Sequence, residues 1–323
     1  MPMPTSNVRT RPDLAQSMLE FPIDMTLAMP IALDLFPVVE VEEAEGNQGL
    51  IEAKELLTPT GGPRTGEGGY LRNELQFTEQ TWATEENGGE GVIDQRKKSK
   101  YKKYFDHESV VARLERFKAF QRREIRCATI ANNAGNYSGQ TTAMGTTLDN
   151  YDTALPVDKV EVAVQAVYER TGLAPNTMWM SWKTFRNLRH NDQVIARIAS
   201  LGAGAPAKQS DISVEILQQV FDIEKILVGG MPYNNANINQ AKSIASVWSD
   251  TTMGVCYVDR SGDLSMPTHF RTYHWGEDGS TMDGLVEDYF EDDIRKHIIR
   301  VRQDTQEKQV LAELGQLLTG LAS

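Results

Sequence analysis

The most regular pattern of apolar and polar positions lies near the middle of the chain, between Asp106 and Gly135. Asp106 is suited to cap the start of a helix, and Val110, Leu114 and Phe117 form a row at helical spacing. A second apolar row beside it consists of Phe120, Cys127, Ile130 and Ala134. The pattern predicts one helix of about 28 residues, about 42 Å long at 1.5 Å per residue. We call it the spine helix.

Shorter periodic stretches follow the spine helix. PVDKVEVAVQAVYERTG predicts an amphipathic helix that ends at Gly172, with Val157, Val160, Val164 and Val167 on one face. NTMWMS and KILVGG are predicted as strands, and WKTFRNLRHNDQVIARI and DISVEILQQVFDI as helices. Further strands are predicted in SVWSDTTMGVCYVD, HFRTYHW, LVEDYFEDD and RKHIIRVRQD, and a closing amphipathic helix in QEKQVLAELGQLLTGL. The expected fold class is α+β, without a regular βαβ repeat.

Two earlier regions have no such core pattern. Residues 1–45 are predicted to form an extended arm, because repeated prolines interrupt an otherwise apolar stretch. From Gly46 to Ile93, strand-favouring segments alternate with glycine clusters, which predicts a long two-stranded ribbon with a glycine-rich tip. Because a two-stranded ribbon is marginal alone in water, we expect it to lie on another surface.

The composition argues against several classes of protein. The 323 residues carry a formal net charge of -12, from 45 acidic and 33 basic residues. This charge disfavours an extended nucleic-acid-binding surface, which would depend on Lys and Arg side chains. Two cysteines cannot form a disulfide framework, and the N-terminus lacks the apolar core of a signal peptide. No stretch approaches the roughly 20 apolar residues of a membrane helix. We expect a soluble protein that is made in the cytoplasm.

No stretch has the pattern of a chemical site. GGPRTGEGGY lacks the Lys-Ser/Thr ending of a phosphate-binding loop, and no G-x-S-x-G motif occurs. His269 and His274 are five apart in a predicted strand, so their side chains would point to opposite faces. Asp292 and Asp293 are expected in a solvated turn, and Cys127 in the packing of the spine helix. We therefore expect no catalytic, cofactor-binding or metal-binding residues, and no enzymatic activity.

A strongly basic run, RKKSKYKK, extends from Arg96 to Lys103. It could contact nucleic acid. It could equally face the acidic segments EVEEAE and EDYFEDD of another subunit, where opposite charges favour a fixed register. The sequence leaves both interpretations open.

Four blocks, in order, resemble the major capsid proteins of tailed double-stranded DNA bacteriophages, which have the HK97-like fold. TWATEENGGEGVIDQRKKSKY, followed by a helix ending in RREIRCATIANN, is similar to that family's ribbon return strand and spine helix. APNTMWMSWKTFRNLRHNDQVIARI resembles the central strand and helix of the axial domain, and VFDIEKILVGGMPYNNA with SVWSD resembles the segment after it. EDDIRKHIIRVRQDTQEKQVLAELGQLL resembles the closing strand pair and terminal helix. Together the blocks span roughly Thr81 to Leu318.

The resemblance implies a division of the chain and a function. The expected parts are an N-terminal arm (1–45), an extended β-ribbon or E-loop (46–95), the spine helix with the peripheral domain (96–150), an axial domain (151–285), and closing strands with a C-terminal helix of the peripheral domain (286–323). The implied function is self-assembly into pentamers and hexamers of an icosahedral head, which encloses double-stranded DNA without sequence-specific binding. The implied partners are other copies of the chain, scaffolding and portal proteins and a decoration protein. The implied location is the virion, after synthesis in the host bacterial cytoplasm, and no membrane is implied.

Contacts between subunits are expected on the ribbon and on the spine helix. The expected ribbon residues are Tyr70, Leu71, Arg72, Phe77 and Trp82, and the expected charged partners on the helix are Arg113, Arg116 and Arg123. Two rival interpretations remain. One is an encapsulin-type compartment, which shares the fold but holds protein cargo, and the other is a phage decoration or tail component.

Overall fold

A computed structural model of the chain describes residues 9–10, 29–51, 53–59, 61–62, 74, 76–95, 107–200, 211–237, 239–241 and 243–322. Its helices are α1 (Ala32–Leu35), α2 (Ala53–Leu57), α3 (His107–Asn132), α4 (Pro156–Thr171), α5 (Trp182–Leu188), α6 (Asp192–Ile198) and α7 (Val214–Phe221). Its strands are β1 (Arg9–Thr10), β2 (Val38–Val41), β3 (Glu45–Leu50), β4 (Thr78–Ala83), β5 (Glu85–Asp94), β6 (Thr141–Ala143), β7 (Thr177–Ser181), β8 (Lys225–Gly229), β9 (Pro232–Asn234), β10 (Ile244–Ser246), β11 (Thr252–Cys256), β12 (Phe270–Trp275), β13 (Leu285–Glu291), β14 (Lys296–Gln309) and β15 (Gly315–Thr319).

The first sheet is organised around β14, a strand of 14 residues. The strand order is β1-β13-β14-β12-β2, and β5 also pairs with β14. The antiparallel ladder between β5 and β14 runs from Glu85 opposite Thr305 to Asp94 opposite Lys296. This ladder joins the return strand of the predicted ribbon to the last part of the chain.

The second sheet has the order β6-β15-β11-β7-β8. Every residue of β7 and β11 is buried, as expected for a strand covered on both faces. Helices α4 and α7 pack on this sheet through a core that includes Val160, Met178 and Leu217. Helix α4 ends at Gly172, whose φ of 72° is favourable for glycine, so the predicted stop is confirmed.

The spine helix is confirmed as α3, with 26 residues, but only one of the two predicted apolar rows contributes to its buried face. Phe120 and Cys127 of the second row are buried. Val110 and Leu114 of the first row keep 37% and 46% of their surface exposed. The buried face also includes the charged residues Glu115, Arg123 and Glu124, whose polar partners lie on α3 itself, in the loop before β13, and in the arm and the segment before β11.

The predicted C-terminal helix is wrong. Residues 296–309 form one long strand, and Gly315–Thr319 form β15 between β11 and β6. Strand β15 is buried along most of its length, and a short apolar run that is covered on both faces cannot be told from a helix by periodicity alone. Gly315 allows β15 to lie close to the His269 ring, because a Cβ there would lie 2.4 Å from that ring.

The sheets cross the predicted division of the chain. Strand β12, within the expected axial part, belongs to the first sheet, whereas β15, from the expected closing part, belongs to the second. The domain boundaries at 45, 95, 150 and 285 therefore stay predictions.

Candidate functional site

The base of the ribbon rests on the first sheet. Strands β3 and β4 form a two-stranded antiparallel pair, from Glu45 opposite Ala83 to Leu50 opposite Thr78. The indole of Trp82 stacks on the ring of Tyr273 in β12, with centroids 5.4 Å apart and an interplanar angle of 11°. Gly46 makes room for this indole, since a Cβ at position 46 would lie 2.3 Å from it. The expected need for a supporting surface is thus met within the chain.

Polar side chains hold the same base to the end of β14. Lys308 Nζ donates to the Thr81 carbonyl, Gln80 Nε2 donates to the Val310 carbonyl at 3.2 Å, and the Ala83 amide donates to Gln306 Oε1 at 3.0 Å. By contrast, β5, the next strand along the chain, pairs with β14 through its backbone. The ribbon base is therefore attached by side chains, and the strand after it is part of the sheet.

The described part of the ribbon exposes large apolar side chains, which we call the ribbon apolar set. Its members are Ile51, Leu56, Leu57 and Phe77. Leu56 and Phe77 keep 67% and 65% of their surface exposed. Several exposed large apolar side chains in one segment of a chain are typical of a contact surface.

Two glycines of β5 allow the spine helix to approach the sheet closely. A Cβ at Gly91 would lie 2.2 Å from Val111 Cγ1, and a Cβ at Gly89 would lie 2.6 Å from Arg122 Nη2. Both neighbours are on α3. The glycines of the NGGEG segment therefore set the distance between the helix and the ribbon's return strand.

Gly91→Ala is expected to destabilise the subunit by about 1–3 kcal/mol, because the added methyl group overpacks the contact with Val111. The measurement is chemical denaturation of the purified subunit. Gly62→Ala is the matched control, since a Cβ at Gly62 meets nothing within 4 Å. Equal free energies of unfolding for the two variants would contradict the close approach.

Arg126 joins the spine helix to both strands of the ladder. Its Nε and Nη2 contact the two carboxylate oxygens of Glu307 at 2.7 and 2.8 Å, and its Nη1 donates to Asn87 Oδ1 at 3.2 Å. The Glu307 side chain is only 3% exposed, and the paired carboxylate raises the pKa of Arg126 against the effect of burial. Sequence reasoning missed this pair, although Arg126 lies at helical spacing from Arg123 and Ile130, on the buried face.

Arg116 and Arg123 contact their own chain. Arg116 Nη2 lies 2.9 Å from Asp283 Oδ1, and Arg123 Nη1 donates to the Met282 carbonyl at 3.3 Å. Arg123 also lies over the Phe120 ring, 4.7 Å from its centroid. Both arginines therefore hold the loop between β12 and β13 against the spine helix.

The prediction that Arg123 contacts a neighbouring subunit is corrected by this geometry. Arg123 is 2% exposed, and burial lowers the pKa of its guanidinium, so the side chain faces the interior of its own subunit. Arg113 donates from Nε to the Ser109 carbonyl one turn away. Tyr70, Leu71 and Arg72 lie outside the described residues, as does the basic run from 96 to 103.

Other chemical candidates lie in structural positions. Cys127 is buried, as predicted, and burial raises the pKa of its thiol well above the usual value. His269 is also buried, which lowers its pKa to about 4, and its Nδ1 contacts the Leu311 carbonyl at 2.6 Å. Asp292 and Asp293 are exposed in the turn between β13 and β14, as predicted.

Among the residues that the structure describes, no group of three or more His, Cys, Asp or Glu side chains is placed to hold a metal ion. Within the same ranges, no helix is long and apolar enough to cross a bilayer.

Comparisons with known proteins agree with this architecture. No family model matches the sequence. The major capsid protein of Burkholderia phage BcepMu is 27% identical over 114 residues, which are 35% of this chain and 35% of that protein. The chain thus matches about a third of the length of this curated relative.

The similarity of structure extends over nearly the whole chain. A phage-related protein from Bordetella bronchiseptica RB50 has a TM-score of 0.69 at 18% identity, with 97% of each chain covered. The capsid structure of cyanophage P-SCSP1u has a TM-score of 0.60 at 11% identity, covering 90% of this chain and 87% of that one. A virus-like particle from Pyrococcus furiosus has a TM-score of 0.53 at 10% identity, covering 95% and 96%. The α+β class and the HK97-like capsid fold expected from the sequence are confirmed.

Proposed function

We propose that the chain is a structural subunit that assembles with copies of itself into the closed head shell of a bacteriophage. The observation that carries the proposal is the capsid fold combined with a ribbon whose apolar side chains its own subunit leaves exposed. A closed shell needs heterologous contacts that repeat around rings. Each contact can be weak, because every subunit makes several at once and the effective concentration raises the total affinity.

The proposed partner of the ribbon apolar set is a neighbouring copy of the chain. The exposed row of Val110 and Leu114 on the spine helix is a second apolar surface of the same subunit, and Phe77 and Leu114 are candidates for contact between copies. Tyr70, Leu71 and Arg72 remain proposed contact residues from the sequence. Scaffolding, portal and decoration proteins and enclosed double-stranded DNA are proposed partners, and the virion is the proposed location.

The phage head is favoured over an encapsulin-type compartment by the similarity to the major capsid protein of Burkholderia phage BcepMu. The two can be distinguished by co-purification. A phage head protein is expected to assemble with a portal or scaffold, whereas an encapsulin-type shell would carry a cargo enzyme. A decoration or tail component would form no closed shell by itself. We propose no catalytic role for any of these residues.

Trp82→Ala is expected to weaken shell assembly more than folding. The indole is half-buried at the ribbon base, where it stacks on Tyr273 and donates to the Glu43 carbonyl. Loss of the stacked pair should cost about 0.5–1.5 kcal/mol beyond the lost buried area, while the ribbon loses part of its attachment to the sheet. The measurements are denaturation of unassembled subunits and the yield of assembled particles by sedimentation. Trp182, an exposed indole on α5, gives the control Trp182→Ala. If Trp82→Ala lost stability and assembly in equal proportion, the contact would be part of the core and not an assembly determinant.

A further inference from the structure

The side chain of Glu124 lies where three parts of the chain meet. It projects from the spine helix and is 1% exposed. Its Oε2 accepts from the Ala32 amide at 3.0 Å, and its Oε1 accepts from the Ile31 amide at 2.8 Å. The same Oε1 accepts from Trp248 Nε1 at 2.7 Å. One buried carboxylate therefore satisfies two amides of the arm and one indole near the second sheet.

The two arm amides belong to the start of α1. The first N–H groups of a helix have no partner within the helix, and a buried one needs a partner from elsewhere. Helix α1 has no side-chain cap at Ile31. Glu124 therefore replaces the missing cap from 93 residues away along the chain.

Trp248 is fixed on the other side of the carboxylate. Its ring lies over Gly229 at the end of β8, where a Cβ would be 2.2 Å away, and its centroid is 5.5 Å from that of Trp179 in β7. The Gly230 amide also donates to the Met29 carbonyl of the arm at 3.2 Å. Two hydrogen-bonded contacts therefore join the arm to the edge of the second sheet, one through the Glu124 carboxylate and one between the Gly230 amide and the Met29 carbonyl.

The charged groups around the carboxylate are occupied elsewhere. Arg123, its neighbour on the helix, donates to the Met282 carbonyl. Asp34 on α1 pairs with Lys225 on β8. Burial raises the pKa of Glu124, while the three N–H donors and Arg123 oppose that rise. What the site needs is consequently an acceptor oxygen in this position more than a negative charge.

We propose that Glu124 is a latch that couples the position of the N-terminal arm to the edge of the second sheet through one shared carboxylate oxygen. If residues 31–32 move away, Oε1 keeps only the Trp248 indole as a donor. The carboxylate that positions the indole is then no longer held by the two arm amides. Conversely, a displaced indole loosens the hold on α1. A movement of the arm is therefore transmitted to β7 and β8. The proposal concerns the conformation of the single subunit and does not depend on shell formation.

Amide exchange of the purified full chain, followed by nuclear magnetic resonance, tests the latch. In Glu124→Met, which keeps the size but removes both acceptors, the amides of Ile31 and Ala32 and the indole N–H of Trp248 are expected to exchange faster by about tenfold or more. Glu115→Met is the matched control, because Glu115 is also buried on α3 but pairs with Lys118. It should leave these three exchange rates unchanged. Retained protection of all three groups in Glu124→Met would overturn the proposal.

Two further variants separate coupling from three independent contacts. Trp248→Phe leaves the carboxylate in place but removes its indole donor, and the coupling through the shared oxygen predicts faster exchange at Ile31 and Ala32. Unchanged exchange at Ile31 and Ala32 in Trp248→Phe would refute the coupling. This test still applies if Glu124→Met does not fold. Glu124→Gln keeps one acceptor oxygen and is expected to protect Ile31 and Trp248 while Ala32 exchanges faster.

Discussion

Replacing Leu56, Leu57 and Phe77 together by serine is expected to abolish shell formation while leaving a folded subunit. The three side chains are exposed in the single chain, so their loss should change the free energy of unfolding by no more than about 0.5 kcal/mol each. In a shell, each would contribute about 1.5–3 kcal/mol when buried against a neighbour. Because the loss is repeated at every subunit, the shell is affected far more than the monomer.

The triple variant should be compared with the unmodified chain by sedimentation velocity and by circular dichroism. Ile244→Ser is the matched control, because Ile244 is 65% exposed but lies on the hairpin of β9 and β10, away from the ribbon in sequence. A triple variant that forms particles in normal yield would show that the ribbon apolar set is not a contact surface. Equal loss in Ile244→Ser would show that any exposed apolar side chain matters as much.

Arg126→Met is expected to lower the free energy of unfolding of the subunit by about 3–5 kcal/mol. The reason is Glu307, which would remain buried with its charge unpaired. Arg126 also bridges to Asn87 in β5, so the ladder between β5 and β14 should loosen with it. The measurement is the free energy of unfolding from denaturant titration.

Arg122→Met provides the control on the same helix, because Arg122 is exposed and its loss should cost no more than about 0.5 kcal/mol. The double variant Arg126→Met, Glu307→Gln should recover part of the stability, since it removes the unpaired charge. A loss below 1 kcal/mol in Arg126→Met, or no recovery in the double variant, would mean that the pair behaves as a solvated ion pair.

The sequence predicts the elements whose pattern depends on their own residues. The spine helix, α4 with its stop at Gly172, and the buried strand β7 were all indicated by local spacing and local signals. The resemblance of four blocks, in order, to the phage capsid family indicates the capsid fold, which the structural comparisons confirm. Local pattern and this resemblance together thus predict the fold class.

What the sequence did not predict depends on contacts between distant residues. β15 is a strand because β11 and β6 lie on either side of it, which its own GQLLT cannot reveal. The exposure of Val110 and Leu114 and the burial of Arg123 depend on where the sheet and the loop before β13 meet the helix. The partners of Arg116 and Arg123, which are Asp283 and the Met282 carbonyl, lie more than 150 residues away along the chain, so the spacing within the helix cannot indicate them.

Electron microscopy of the purified chain, alone and co-expressed with the genes adjacent to its own, tests the central claim most directly. Capsomer rings or closed angular shells are expected, and the ribbon triple variant should yield neither under the same conditions. A small monodisperse particle in both preparations of the unmodified chain would contradict the account, and a decoration or tail component would then be the better interpretation.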